Sequence, residues 1–538
     1  MKTSVLQTIV AALLVCLVAA CDGEGYERTI LVPPSAMHGV HGLAFDRQGR
    51  LYAASLVGQS IYRIDVETAR VETLVGPPDG NADDVAVAPD GTVVWTAGLT
   101  QSVMALTPDG KLRTLARDLP GANSINFAPD GRLYLTTIFG GDALYEIDPK
   151  GVEPPRVVAE KLGGLNGFEV SADGFLYGPL FFRGKIVKVD LADGSITDVA
   201  DGFAVPSAVN FASTGALFAV DNRTGEIAEI DVSTGAKRLV ARLDPPIDNL
   251  AVGADDLLYV SNPAFNRVST VDPRSGEVRH IVQGGLSSPG GIVVVEEDGR
   301  ETLLVSDFWG HRSVDIQTGA VKRLETVEPV GGSVAIAATD ELIILSSIWP
   351  FSAVQVVERG TGKLRGRISG LGAPYGVLPL ADGRLLIADY GKGELVAIPL
   401  DDYAARSVVA GDLSGPVGLA AAGSGSVYVS EWDGGTVARV SLANGTRSVL
   451  ADNLDRPEGL AVDASGRIIL AESGSGRLLR IDPDSREIAV VAEGIAMGLE
   501  GWSAMPAPFI GTGIAVTADG TIYVAADVDN ALYKFELR

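Results

Sequence analysis

Short apolar runs alternate with turn residues along the whole chain, and the pattern is clearest at residues 165–191, LNGFEVSADGFLYGPLFFRGKIVKVDL. This stretch predicts four strands, Leu165–Val170, Phe175–Gly178, Lys185–Val189 and Ser195–Val199. Asp173-Gly174 predicts a tight turn, because glycine tolerates positive φ and aspartate hydrogen-bonds its own backbone. Four antiparallel strands in about forty residues predict one blade of a β-propeller.

The same unit recurs at a regular interval. We aligned the units on the residue just before the start of each first strand, and the aligned positions lie 40–43 residues apart, with a final gap of 54. These positions are His41, Asp83, Asn123, Asn166, Ser207, Asp248, Gly290, Gly332, Tyr375, Val417, Glu458 and Thr512. The spacing predicts twelve blade-sized units and an all-β fold of four-stranded antiparallel blades.

The two ends of the chain indicate how the twelve blades are closed into rings. The last unit ends with the strand Ala531–Phe535 and lacks a fourth strand, whereas Arg28–Val32 is a strand that precedes the first unit. An open sheet edge invites aggregation, so we expect both ends to be closed by pairing.

An exchange of strands would close both ends. If Arg28–Val32 pairs with the blade of Leu250–Val271, the outer strand Glu277–Val282 is released to close the final blade. This exchange predicts two tandem six-bladed propellers, residues 26–273 and 274–538, with the boundary near Pro273. A single twelve-bladed ring is the alternative, and it would leave a wide, unfilled axis.

Charge narrows the class of function. The formal net charge is −25, from 43 basic and 68 acidic residues, which argues against binding to nucleic acid.

The first residues predict export. Lys2 precedes the apolar run Val5–Val18, which is too short to span a membrane. The run ends in VAAC, and small residues before Cys21 resemble the lipobox of bacterial lipoproteins. The resemblance implies a signal peptide (1–20), lipidation of Cys21, a tether (21–25) and an envelope protein that is lipid-anchored to the membrane and faces the periplasm or the exterior. An ordinary cleaved signal with an incidental cysteine is the alternative.

Polar residues gather at the predicted axis of the first ring. Asp83 and Asp248 bring two negative charges, and Asn123 and Asn166 bring amide oxygens. A hard divalent cation, Ca²⁺ above all, takes about 6–8 such oxygen ligands. His41 is a candidate base beside a metal-bound water. A polar, water-filled axis that only holds strand ends in register is the alternative.

Two of these stretches carry a family resemblance. GANSINFAPDGRLY, which contains Asn123, and LNGFEVSADG, which contains Asn166, resemble the gluconolactonase/regucalcin-like family. In that family the motifs supply two asparagines to a divalent metal on the axis of a six-bladed propeller, so the resemblance implies the same role for Asn123 and Asn166. The weaker repeat around Glu458 is similar to NHL-type propellers. This chain departs from the family pattern at His41, where the family has a metal-binding Glu, and at Ser207, where it has an axial Asp.

The predicted second ring presents aromatic rather than metal-binding residues. Its candidate ligand-binding residues are Trp309, His311, Trp349, Tyr390, Trp432, Glu458 and Trp502, the last of these within the long insertion 494–511. Exposed aromatic residues beside carboxylates suit stacking on a sugar or another flat ligand, or a protein partner. The alternative is that these side chains pack against each other and plug the mouth of the ring.

Three hypotheses for function follow from these patterns. The first is a metal-dependent hydrolase of lactones or esters in the first ring, in which Asp83, Asp248 or His41 handles the proton. The second is a non-enzymatic protein that binds a small-molecule or sugar-like ligand through the second ring. The third is a scaffold that binds an envelope protein partner.

Overall fold

The chain folds almost entirely into β-strands. The structure is a computed structural model that describes residues 25–322, 332–348, 352–423, 425–501 and 508–538. Within these ranges the strands form twelve antiparallel sheets, and eleven of them have four strands. The predicted all-β fold with four-stranded antiparallel sheets is confirmed.

The first six sheets come from one continuous stretch of chain. Their strands, in order, are Val40–Phe45, Leu51–Ser55, Ser60–Ile64 and Val71–Val75 (sheet 1); Val85–Val87, Val93–Ala97, Ser102–Leu106 and Leu112–Ala116 (sheet 2); Ala122–Phe127, Leu133–Thr137, Ala143–Ile147 and Arg156–Glu160 (sheet 3); Glu169–Val170, Phe175–Leu180, Lys185–Asp190 and Ile196–Ala200 (sheet 4); Pro206–Phe211, Leu217–Asp221, Glu226–Ile230 and Lys237–Arg242 (sheet 5); and Leu250–Val252, Leu258–Asn262, Arg267–Val271 and Val278–Val282 (sheet 6).

The other six sheets draw on both ends of the chain. Their strands are Pro289–Glu297, Arg300–Asp307 and Gly310–Asp315 (sheet 7); Ser333–Ala338, Leu342–Ser347, Ala353–Glu358 and Leu364–Ile368 (sheet 8); Pro374–Pro379, Arg384–Asp389, Glu394–Pro399 and Ser407–Ala410 (sheet 9); Pro416–Ala421, Ser426–Glu431, Thr436–Ser441 and Arg447–Ala451 (sheet 10); Pro457–Val462, Ile468–Glu472, Arg477–Ile481 and Ile488–Ala492 (sheet 11); and Ile514–Val516, Ile522–Ala526, Ala531–Leu537 and Tyr26–Val32 (sheet 12). The short 3₁₀ helices are Gly98–Thr100, Pro263–Phe265 and Tyr390–Lys392.

Sheets that follow each other in sequence also pack side by side. Sheet 6 returns to pack against sheet 1, and sheet 12 returns to pack against sheet 7. This order of neighbours is compatible with two six-bladed propellers, and we call sheets 1–6 the first ring and sheets 7–12 the second ring. Apolar clusters fill the spaces between adjacent sheets, such as the cluster that joins Val94 of sheet 2 to Ile125 and Leu133 of sheet 3.

The predicted exchange of outer strands is wrong. The N-terminal strand Tyr26–Val32 pairs with Ala531–Leu537 of sheet 12, and Val278–Val282 stays in sheet 6 beside Arg267–Val271. The reason is local, because a short turn that Gly276 N closes on Asp272 O joins those two strands. Forming a hairpin orders far less chain than pairing distant segments. The first ring therefore runs to Val282, and the boundary near Pro273 is corrected accordingly.

The first ring is thus an insertion between the first strand of the second ring and the remainder of that ring. The chain crosses between the rings on both sides of the insertion, and hydrogen bonds hold the crossing together. His38 Nε2 lies 2.9 Å from Asp527 O, and Asn530 Nδ2 donates to Met37 O at 2.7 Å. Ser287 Oγ donates to Pro263 O at 2.7 Å. Sheets 1 and 6 therefore lie against sheets 7 and 12.

The residues that the structure describes contain no helix with the length and apolar character needed to cross a bilayer.

The pairing of the N-terminal strand predicts a position-dependent loss of stability. Val32 is 1% exposed and packs between sheets 12 and 7, so Val32→Ala should lower the free energy of unfolding by about 1–3 kcal/mol. The matched control is Ile30→Ala in the same strand, where the side chain is 52% exposed and the expected change is within about 0.5 kcal/mol. Urea unfolding followed by circular dichroism measures both. Equal effects at the two positions would contradict the observed pairing.

Candidate functional site

The innermost strands of the first ring bring polar side chains from sheets 1, 2, 3 and 6 together at the axis. His41 Nδ1 lies 3.2 Å from Asp248 Oδ2 and 3.9 Å from Asp83 Oδ1. Asn123 Nδ2 donates to Asp83 Oδ2 at 2.5 Å. Four of the six residues predicted at this axis thus form one connected group, which we call the axial cluster: His41, Asp83, Asn123 and Asp248.

The remaining two axial residues lie outside this cluster. Asn166 Oδ1 accepts hydrogen bonds from Ser124 Oγ and Gly167 N, both at 2.9 Å. Ser207 Oγ donates a hydrogen bond to Ile247 O at 3.4 Å. Both side chains therefore tie neighbouring strands together.

A buried carboxylate that the sequence reasoning missed lies directly behind the cluster. Asp84 is 7% exposed and accepts hydrogen bonds from Ile125 N at 3.1 Å and Asn249 Nδ2 at 3.2 Å. Gly42 makes room for it, since a Cβ at residue 42 would lie 2.1 Å from Asp84 Oδ1. The signal in the sequence was the doublet Asp83-Asp84. Successive side chains of an extended chain point to opposite sides, so these two aspartates cannot both line the mouth of the ring.

Burial sets the charge states of this group. Burial raises the pKa of Asp84 to about 8 and that of Asp83 to about 7, although the charge of His41 opposes the second shift. Burial alone would lower the pKa of His41. The hydrogen bond to Asp248 and the charges of the neighbouring carboxylates outweigh it, so the pKa of His41 is raised. The pKa of Asp83 therefore lies near neutral pH, beside an imidazole whose own pKa is raised.

The predicted cation ligands are engaged with donors of the protein itself. Asp248 faces the ring nitrogen of His41, Asp83 accepts from the amide of Asn123, and Asn166 Oδ1 accepts two hydrogen bonds. Across the described ranges, no group of three or more His, Cys, Asp or Glu side chains has an arrangement that could hold a metal ion. Asp83, Asn166 and Asp248 thus each have an oxygen engaged within the protein, and the divalent cation stays a prediction.

A tryptophan of the second ring lies over His41. The ring centroids of Trp309 and His41 are 5.6 Å apart, and the ring planes are inclined by 48°. His41 is 8% exposed, and its Nε2 atom is shielded from solvent without a hydrogen-bond partner. The same holds for Nε1 of Trp309. The mouth of the first ring is therefore built by residues of both rings.

Two other aromatic residues predicted in the second ring, Tyr390 and Trp432, contact residues of their own ring. Tyr390 packs edge-to-face on Tyr375 at 5.7 Å, and Trp432 Nε1 donates to Glu458 Oε1 at 3.3 Å. Glu458 also accepts from Thr512 N at 2.6 Å, and burial raises its pKa. These contacts agree with the alternative in which aromatic side chains plug the mouth of the second ring.

The carboxylates beside these aromatic residues are structural. Asp389, next to Tyr390, accepts from the backbone N–H groups of Gly372 and Ala373, and Glu431, next to Trp432, accepts from Ser414 N. Both carboxylates are buried. They cap the loop that precedes the first strand of their sheet and are not available to a ligand. His311 is buried as well, at 3% exposure.

Three predicted site residues, Cys21, Trp349 and Trp502, lie outside the described residues.

Comparisons with known proteins found no matching family model and no matching curated protein. Among solved structures the chain is similar to virginiamycin B lyase from Staphylococcus aureus, with 17% identity and a TM-score of 0.38 over 52% of this chain and 96% of the lyase. It is also similar to a gluconolactonase from Xanthomonas campestris, with 18% identity and a TM-score of 0.38 over 45% of this chain and 89% of that chain. Both are propeller folds.

An extracellular domain of a putative one-component system from B. thetaiotaomicron matches 90% of this chain and 69% of its own length, with 11% identity and a TM-score of 0.32. Similarity at these values carries no argument about activity. The propeller architecture instead rests on the strand pairing described above, and the gluconolactonase-like activity stays a prediction.

The raised pKa values predict that stability falls as pH rises. A carboxyl group whose pKa is higher in the folded than in the unfolded chain stabilises the fold while it is protonated, and this contribution is lost as pH rises through the folded value. For Asp84 that value is about 8. The thermal unfolding temperature should therefore drop between about pH 5 and about pH 8.5, and Asp84→Asn should flatten this drop.

The control for this experiment is Asp90→Asn. Hydrogen bonds from Thr92 lower the pKa of this exposed carboxyl group, so it titrates below the range tested and the drop should remain. An unfolding temperature that rises with pH in the wild-type protein would contradict the buried, protonated Asp84.

Proposed function

We propose that the first ring is a hydrolase of lactones or other esters in which His41 acts as the general base. The observation that carries this proposal is the placement of the two ring nitrogens of His41. Nδ1 faces Asp248 at 3.2 Å, whereas Nε2 is shielded from solvent and has no hydrogen-bond partner. An imidazole that is oriented through one nitrogen and free at the other is the arrangement that general-base catalysis requires.

The proposed reaction needs only water as a co-reactant. A carboxylate at Nδ1 favours the tautomer in which that nitrogen carries the proton, which leaves the lone pair on Nε2 of His41. Nε2 takes a proton from the water that attacks the ester carbonyl carbon. The same proton then passes to the leaving alkoxide as the C–O bond breaks.

The two carboxylates have different parts in this proposal. Asp248 is a positioning residue, because it holds the imidazole and stabilises the imidazolium that forms. Asp83 lies 3.9 Å from Nδ1 and is held by Asn123, and in its ionised form it adds negative charge on the same side of the ring. Neither carboxylate touches the substrate in this scheme.

No step of this scheme is routed through a cation. The sequence predicts a divalent-metal-dependent hydrolase, but one oxygen each of the predicted ligands Asp83, Asn166 and Asp248 is engaged with a protein donor. A histidine at position 41 also takes the place of a negatively charged ligand of the related family. The metal-dependent reaction is therefore the competing form of the proposal, and a chelator distinguishes the two.

The alternative function, ligand binding without turnover through the aromatic face of the second ring, has less support. Tyr390 and Trp432 contact Tyr375 and Glu458 of the same mouth, and the carboxylates beside them cap loops. The scaffold hypothesis, with an envelope protein partner, gains no specific support from the contacts of the described residues.

His41→Gln is expected to lower kcat for hydrolysis by about 10²–10⁴-fold, because the base is lost while the size of the side chain is kept. Asp248→Asn should lower kcat by at least about tenfold, since the imidazole loses the partner that fixes its tautomer. Assays with a panel of γ- and δ-lactones and 4-nitrophenyl esters measure both. Ser207→Ala is the matched control at the same axis and should leave kcat within about twofold.

Two outcomes would contradict this form of the proposal. Hydrolysis that is unaffected by His41→Gln would rule out His41 as the general base. Hydrolysis that stops in a chelator and returns with Ca²⁺ would establish the metal-dependent reaction instead.

We also propose, on the sequence alone, that the protein is tethered to the bacterial envelope through lipid on Cys21. Cells fed a radiolabelled or clickable palmitate should label the wild-type protein and not the Cys21→Ala variant. The control is Cys16→Ala within the predicted signal peptide, which should leave labelling intact. Release of unlabelled wild-type protein into the soluble fraction would contradict the tether.

A further inference from the structure

Trp309 belongs to the second ring but lies at the mouth of the first. It lies in the turn between Arg300–Asp307 and Gly310–Asp315 of sheet 7. The neighbouring Phe308 is 4% exposed and packs edge-to-face on the indole at 5.4 Å. Trp309 itself is half-buried. A buried aromatic anchor therefore fixes the base of the turn, and the indole projects from it.

The two rings hold this turn between them. Val57 and Leu99 of the first ring pack in one apolar cluster with Phe308, Leu499 and Phe509 of the second ring. The side-chain amide of Gln59 donates to Glu500 O across the same boundary. The indole thus keeps a defined position over His41, at the centroid distance of 5.6 Å.

The contact leaves two polar atoms unsatisfied. Nε2 of His41 and Nε1 of Trp309 are both shielded from solvent and lack a partner. An indole nitrogen can only donate, whereas Nε2 of an imidazole that is held through Nδ1 can accept. Buried polar groups in folded proteins nearly always have partners, so this pair indicates a ligand that carries both an acceptor and a proton to give.

We propose that Trp309 is a catalytic residue of the first ring, and that its indole N–H donates a hydrogen bond to the carbonyl oxygen of the ester substrate. This inference rests on the proposed function of His41. Because the indole also offers a flat apolar face, the substrate class is a cyclic or aryl ester with a flat apolar surface beside its carbonyl group. The substrate then lies between the two rings, and neither ring is a complete enzyme.

Nε1 of Trp309 and Nε2 of His41 have different roles in the proposed reaction. As water forms its bond to the carbonyl carbon, the C=O electron pair moves to the oxygen, and the indole N–H stabilises that oxyanion. Nε2 of His41 holds the proton of the water. Collapse of the intermediate restores C=O, breaks the bond to the leaving oxygen and returns the proton to it, so that an acid and an alcohol are released.

Trp309→Phe tests the role of the indole nitrogen, because it keeps an aromatic cover over His41 and removes the proposed donor. The expected result is a fall in kcat of about 10²-fold with a much smaller change in KM, since a carbonyl oxygen binds the donor most strongly when it carries negative charge. Trp432→Phe is the matched control, since that indole donates to Glu458 within the second ring. It should leave kcat within about twofold.

A second measurement does not depend on turnover. In ¹H–¹⁵N spectra of the full chain, the indole resonance that is absent from Trp309→Phe identifies Trp309. Addition of δ-valerolactam, a stable cyclic amide with the same carbonyl, should move this resonance downfield in a saturable way and leave the Trp432 resonance in place. If Trp309→Phe fails to fold, Trp309→Tyr provides the same assignment.

The two measurements separate this inference from the proposed function. A lactam-dependent shift in a protein that hydrolyses no ester supports the binding of a carbonyl oxygen by Trp309 and overturns the proposed hydrolase function. Hydrolysis that needs His41, with unchanged kcat in Trp309→Phe and an unmoved Trp309 resonance, overturns the inference and leaves the function standing. An unmoved resonance without hydrolysis overturns both.

Discussion

The antiparallel pairing of Tyr26–Val32 with Ala531–Leu537 is the constraint on which the arrangement of the whole molecule depends. A four-stranded sheet with a missing outer strand exposes unpaired backbone groups, and the N-terminal strand supplies the partner for the last sheet. Because the first ring follows directly on that strand, it must lie next to the closure point of the second ring. The contacts between sheets 1 and 6 and sheets 7 and 12 are the consequence.

In this arrangement the two rings differ in how they are completed. The first ring forms all six sheets from its own continuous segment and closes by packing sheet 6 against sheet 1. The second ring needs a strand from the other side of the insertion. The same closure places the turn of Trp309 over the axial cluster, so the local chemistry at His41 depends on a pairing formed far from it.

Acidic residues show how position decides the role of a side chain. Asp307 and Asp389 end second strands, are fully buried and accept hydrogen bonds from backbone N–H groups that precede the first strand of their sheet. Asp84 is also buried and directly precedes the first strand of sheet 2, but it lies near Asp83 and Asp248, and burial raises its pKa to about 8. Asp307 is also paired with the buried guanidinium of Arg312, whereas Asp83 and Asp248 lie beside the imidazole of His41. The loop carboxylates thus hold backbone segments in place, whereas the axial carboxylates lie beside the imidazole of His41.

The sequence by itself determined the features that depend on neighbours along the chain. The repeat spacing predicted the twelve sheets, the Asp-Gly turns predicted their hairpins, and the aligned positions identified His41, Asp83, Asn123 and Asp248 at one axis. Hairpins and strand starts are fixed within a few residues of sequence, so their pattern can be read directly.

The tertiary structure alone decided which distant partners meet. It paired Tyr26–Val32 with the last sheet instead of the sixth, placed Asp84 behind the axial cluster, and engaged the oxygen of Asn166 with Ser124. It also separated Trp309, which lies over His41, from Tyr390 and Trp432, which pack within their own ring. No local pattern distinguishes these aromatic residues, because their roles depend on which ring face lies opposite, and that is set by contacts between residues hundreds of positions apart.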